Sequence, residues 1–126
     1  MKQIISTSNA PAAIGPYSQA VKTGNFVFLS GQLGIDPQTG DFVSNSVVEQ
    51  TEQVIKNIKA ILSEANLTLN NVVKTTVFLA DMSDFAAMNE VYGKHFSEPY
   101  PARSSIAVKT LPKNGLVEIE VIAVKA

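Results

Sequence analysis

The chain has 126 residues, 45% of them apolar and 17% charged, which is enough to build one hydrophobic core at the usual size of one domain. Ten Lys and Arg against eleven Asp and Glu leave a net charge of −1, with no broad basic surface for nucleic acid or an anionic membrane. The absence of cysteine excludes disulfides, thiolate metal sites and a cysteine nucleophile, and the reducing cytoplasm is the expected compartment. No run approaches the roughly eighteen apolar residues of a membrane span.

In chain order, KQIIST and YSQAVKTGNFVFLSGQ read as strands, the latter a pair turning at Thr23-Gly24-Asn25, where glycine supplies the positive φ of a short loop. Ser46 with Glu49 three residues on forms a capping box. Thr51, Val54, Ile58, Ile61, Leu62 and Ala65 then recur at helical spacing as far as Asn66. NNVVKTTVFLA has the β-branched content of a strand. Behind Asp81 or Ser83 as cap, a second helix presents Phe85, Met88, Tyr92 and Phe96 along one side. Pro99 and Pro101 end it, and two strands follow over roughly Arg103 to Lys109 and Leu116 to Lys125.

No linker or repeat divides the chain, so residues 1–126 read as a single domain. The element order predicts an α+β layer pair with both helices on one face of a mixed sheet. In the last strand both faces are apolar apart from Glu118 and Glu120, so the face away from the helices needs a cover. Self-association through the sheet would supply it.

Those two glutamates share one strand face about 6.6 Å apart, too far to hold one proton between them. Either each meets a cation such as Lys74 or Lys109, or solvent, or one lies in a partly dry pocket that raises its pKa toward neutrality and fits it to move protons. Arg103, at a strand start stiffened by two prolines, is either a surface ion-pair partner or a planar fork for a substrate carboxylate. Antiparallel pairing of the strand from Arg103 to Ser105 with the strand from Glu118 would bring Arg103 and a glutamate to one end. Tyr17 after Gly15-Pro16, and Ser30-Gly31 at the end of an apolar run, sit where backbone approaches a ligand closely. Asn89 borders the second helix's apolar stripe, as a buried amide or a site residue. His95 is the only histidine and no nucleophile elbow accompanies it, which argues against a serine triad and a zinc site. Gly31 and Gly34 form no phosphate cradle.

Taken together, APAAIGPYSQAV, FLSGQLGIDPQTG, VVKTTVFLADMSDFAAMN, PARSS and LPKNGLVEIEVIAV closely resemble the Rid family, the RidA-like reactive intermediate deaminases once called translation inhibitors. The resemblance implies a chorismate-mutase-like α+β fold and a homotrimer with sites in the clefts between subunits. It implies hydrolysis of enamines and imines (2-aminoacrylate, 2-iminopropanoate, 2-iminobutanoate) to 2-keto acids and ammonia. Neither metal nor organic cofactor is expected, and the activity would protect pyridoxal-phosphate enzymes. By the same resemblance Arg103 binds the substrate carboxylate, Glu118 directs water, and Tyr17, Ser30, Gly31, Asn89 and Ser105 line the cleft. Glu120 keeps a structural role. Ser105 stands where many relatives have cysteine, which argues against a thiol-dependent role. Two other readings remain. One is a trimeric binding or regulatory module that holds a carboxylated metabolite without turnover. The other, an RNA-cleaving inhibitor, is disfavoured by the acidic pI.

Overall fold

The computed structural model describes residues 1–126 and contains every expected element: β1 (Gln3–Ile5), β2 (Ala20–Thr23), β3 (Phe26–Leu33), α1 (Val47–Glu64), β4 (Val72–Leu79), α2 (Phe85–His95), β5 (Ala102–Ala107) and β6 (Val117–Val124). The strands form one six-stranded sheet in the order β1-β2-β3-β6-β4-β5. Neighbours are antiparallel except β4 and β5, which run parallel. No helix is long and apolar enough to cross a membrane.

Local chemistry explains the boundaries. Gly24 takes φ +57° in the loop that pairs Thr23 with Phe26. Helix α1 starts at Ser46, whose hydroxyl accepts from the Glu49 N–H at 3.4 Å. The return arm of the expected capping box is absent, because the Ser46 N–H donates to Ser44 Oγ at 3.0 Å instead. The helix stops where Asn66 turns left-handed at φ 60° and the Leu67 N–H reaches back to the Leu62 carbonyl at 2.9 Å. Asp81 caps a short 3-10 turn, Met82–Asp84, that leads into α2.

Both helices lie on one face of the sheet, as the patterning predicts. Val54, Ile55, Ile58, Ile61 and Leu62 of α1 and Met88 of α2 are fully buried against Val27, Val77, Val117, Ile119 and Ala123. Each such side chain contributes about 1.5–3 kcal/mol by leaving water. The alternation of β6 sends Val117, Ile119, Val121 and Ala123 to this core and Glu118, Glu120, Ile122 and Val124 to the opposite, open face. That open face carries Phe26 and Phe28, 47% and 43% exposed with rings stacked at 6.1 Å, together with Ile4 and Ile106.

One expectation fails. The strand of Arg103 does not pair with the strand of Glu118: β6 inserts between β3 and β4, and β5 lies beyond β4 at the sheet edge. The cause is the connection. A helix carries the chain from the end of β4 back to its start, so β5 enters as a parallel neighbour of β4 by a crossover, and only the last strand finds the central slot.

Candidate functional site

The residues singled out in the sequence fall into two groups on opposite sides of the sheet. The first surrounds Glu118 on the open face. Along β3 the pairing with β6 slips by one residue between Leu29 and Gln32, a bulge that contains Ser30 and Gly31. The bulge lets the backbone at Gly31 pass under the Glu118 carboxyl so closely that a Cβ there would overlap Oε2. A side chain there is opposed by contact and not by φ: it would push the Glu118 carboxyl aside.

Tyr17, Ser30, Gly31 and Glu118 line one cleft of ≈ 600 Å³, together with Ile14, Leu33 and Lys113. Ser30 Oγ donates to the Ser18 carbonyl at 2.6 Å, so its proton is committed and only its lone pairs face a ligand. Glu118 makes no ion pair, and neither does Glu120; the one contact of ion-pair length is Glu52 with the ring of His95, which is charged only when protonated. Lys74, one of the cations considered for these glutamates beside Lys109, donates instead to Ser104 Oγ at 3.2 Å. Burial first, and the Glu120 charge second, push the Glu118 carboxyl above its ordinary pKa of 4.5.

The second group lies on the helix face at the β5 edge. Arg103 pairs in register with Thr75, whose side chain points into the core, so Arg103 projects toward α2. Its Nη1 donates to Asn89 Oδ1 at 2.7 Å, and its guanidinium carbon lies 4.7 Å from the centre of the Tyr92 ring. Asn89 is thus exposed and bonded to a side chain, not a buried amide serving a loop. Ser105, two residues on and on the same face, has a buried hydroxyl without a partner. As an edge strand, β5 also leaves alternate backbone N–H groups without a sheet partner.

Within one chain these groups do not meet. Glu118 pairs with Phe78, and Phe78 with Ile106, three residues beyond Arg103. Two strand spacings across and three residues along put the two backbones roughly 14 Å apart, with side chains on opposite faces. One group offers a cation beside an edge strand, the other a desolvated acid in a cleft.

Three buried amides that sequence patterning did not single out tie the loops down, Gln19 and Asn57 at the cleft wall. Gln19 accepts from the Thr7 N–H at 2.7 Å and donates to the Thr7 and Pro11 carbonyls at 3.0 and 2.7 Å, strapping down the N-terminal wall. Asn57 of α1 donates to the Leu33 and Ile35 carbonyls, and Gln50 joins the Ser44 carbonyl to the Leu116 N–H. Their one signal in the sequence is a polar residue on an otherwise apolar helix face or strand end.

The profile of the family described as Endoribonuclease L-PSP matches residues 7–125. A RutC family protein of Pyrococcus horikoshii is 57% identical over 125 residues, 99% of each chain. The 2-iminobutanoate/2-iminopropanoate deaminase of Mus musculus is 50% identical, covering 99% of this chain and 93% of its own. The crystal structure of RidA from the Antarctic bacterium Psychrobacter sp. superposes with a TM-score of 0.94 at 54% identity, covering 98% and 99% of the two chains. With one profile spanning nearly the whole chain and relatives at half identity or more along both lengths, the chain belongs to the Endoribonuclease L-PSP family, the Rid proteins whose motifs it carries.

Proposed function

We propose that this chain is a cofactor-independent deaminase that hydrolyses short 2-imino acids, and the enamines that tautomerise to them, to 2-keto acids and ammonia. The observation that carries the reading is Glu118: a carboxyl raised in pKa by burial, free of any cation, set against a glycine inside a cleft. The deaminase activity in the name of the mouse relative supports the same chemistry. An imine carbon beside a carboxylate is already electrophilic, so the protein needs to orient the acid, direct water and move protons. Arg103 holds the substrate carboxylate with two parallel hydrogen bonds. Glu118 takes a proton from water as the oxygen bonds to C2, then returns it to nitrogen. In the resulting carbinolamine Glu118 passes the hydroxyl proton to the amino group, and the C–N bond breaks as the oxygen forms the keto C=O and ammonia leaves. Tyr17, Ser30 and Gly31 shape the cleft around the reacting carbon, and a backbone N–H near Ser105 steadies the ligand.

The site is completed between copies of the chain, each of residues 1–126 acting as one domain. A single chain holds Arg103 and Glu118 on opposite faces, and its open face exposes Phe26, Phe28 and Ile106. Packing the open face of one copy near the β5 edge of the next buries that apolar surface and brings the guanidinium to the acid. We assign this closed assembly as the homotrimer that the family resemblance implies. The substrates arise on pyridoxal-phosphate enzymes, whose protection is the proposed role.

The test is a coupled assay in which a serine or threonine dehydratase releases the enamine. Faster keto-acid release on adding the purified protein supports deamination. Binding of a keto acid with unchanged release would instead establish a non-catalytic metabolite-binding module.

A further inference from the structure

Phe85, Asn89 and Tyr92 occupy positions i, i+4 and i+7 of α2 and so share one helix face. By periodicity the two aromatic residues belong to the core stripe. In the structure that face meets Arg103. The guanidinium carbon lies 4.7 Å from the Tyr92 ring centre and 5.6 Å from that of Phe85, while Asn89 accepts from Nη1. Tyr92 is itself immobilised: its ring stacks on Phe96 at 4.3 Å, and its hydroxyl shares a 2.8 Å hydrogen bond with Thr75, which is fully buried. No carboxylate lies within ion-pair distance of Arg103.

We infer that Phe85 and Tyr92 are positioning residues for the deaminase reaction, an aromatic cradle that holds the Arg103 guanidinium as a preset fork for the substrate carboxylate. The inference rests on the function proposed above. A guanidinium has five N–H donors, and Asn89 occupies one. The ring faces attract the cation without occupying its in-plane donors, as a carboxylate partner would. An arginine already ordered loses less freedom when substrate binds, so the cradle lowers KM. The Tyr92 phenol, neutral near pH 7 at its ordinary pKa of 10.0, is pushed higher still by burial, against the Thr75 hydrogen bond and the Arg103 charge, and does not compete as an anion for Arg103.

Because the fork grips the carboxylate alike in ground and transition states, its disorder raises KM and spares kcat. Phe85→Leu and Tyr92→Leu should each raise KM, and the Kd of 2-oxobutanoate measured by calorimetry, about 3- to 10-fold, with kcat within about twofold. Tyr92→Phe, which keeps the ring, should restore KM to within about twofold of the parent. In an Arg103→Lys background, Phe85→Leu should change the 2-oxobutanoate Kd less than about twofold, because the planar fork it supports is gone. The proposal is overturned if Phe85→Leu leaves KM and Kd unchanged, if its effect persists in full beside Arg103→Lys, or if Tyr92→Phe is as impaired as Tyr92→Leu. Should Tyr92→Leu fail to fold, the half-buried Phe85 position still decides. A parent that hydrolyses imines while the cradle variants match it defeats the cradle alone. A parent that binds 2-oxobutanoate without hydrolysis defeats the deaminase reading and leaves the cradle to be read from Kd. A parent that does neither defeats both.

Discussion

The open face around Glu118 and the β5 edge around Arg103 are built on different principles. The Glu118 cleft is a concavity with walls held by the buried amides of Gln19 and Asn57, so its shape belongs to the chain's own core. Arg103 stands on a short edge strand where nothing anionic meets it, fixed by two rings and one amide of α2. One region is a container and the other a clamp, and they face apart. Under the proposed function, a second copy of the chain brings the two together.

The largest effect that would break this comparison is at the clamp. Arg103→Ala should lower kcat/KM for imine hydrolysis by about 100-fold or more, the size of two lost charge-assisted hydrogen bonds, with no change in assembly size by light scattering. Near-parental turnover would remove the clamp from the mechanism. On the container side, Gly31→Ala puts a methyl where Glu118 Oε2 lies and displaces the acid. A loss of about 10- to 100-fold in kcat is expected, since an ångström of misplacement costs that much, while the far-UV circular dichroism spectrum stays unchanged. Gln19→Ala leaves the Thr7 N–H and the loop carbonyls unpartnered and should destabilise folding by about 1–3 kcal/mol in urea titration. It should loosen the container and leave keto-acid binding at the clamp less affected than turnover.

The smallest effect concerns pH. The folded pKa of Glu118 is raised, so the stability this group contributes is complete below its unfolded value near 4.5 and is lost as pH rises through the folded value. Glu118→Gln should therefore melt higher than the parent at pH 7, with the gap closing below pH 4.5. It should also lose activity, whereas Glu120→Gln should keep most of it. A Glu118→Gln variant that melts lower at pH 7 would show that, in the assembly, Arg103 of a neighbouring copy outweighs the burial of the carboxylate.

Much of this was legible in the sequence. The period-3.6 stripe of Val54, Ile58, Ile61 and Leu62 and the two apolar faces of β6 follow from side-chain geometry, and they dictated two layers with one face left open. The oddity of Glu118 in an apolar strand was visible too, since a carboxyl there must be neutralised or put to use. Strand order was not legible. Whether the last strand pairs with its predecessor or slips between β3 and β4 depends on long-range packing that no local pattern encodes. The β3 bulge was hidden for a related reason: Ser30-Gly31 reads as a strand end, and only the register against β6 exposes the extra residue. Phe85 and Tyr92 were hidden by their own periodicity, which looks the same for an aromatic that fills a core and one that also carries a cation.

Mixing two inactive variants tests the composite site most directly. Arg103→Ala chains retain Glu118, and Glu118→Gln chains retain Arg103. Refolded together in equal amounts, they should form assemblies in which about a quarter of the sites unite both intact halves, and activity should return to about a quarter of the parental value. If mixing leaves turnover at the level of the separate variants while mass measurements show that the chains have co-assembled, the site does not lie between copies.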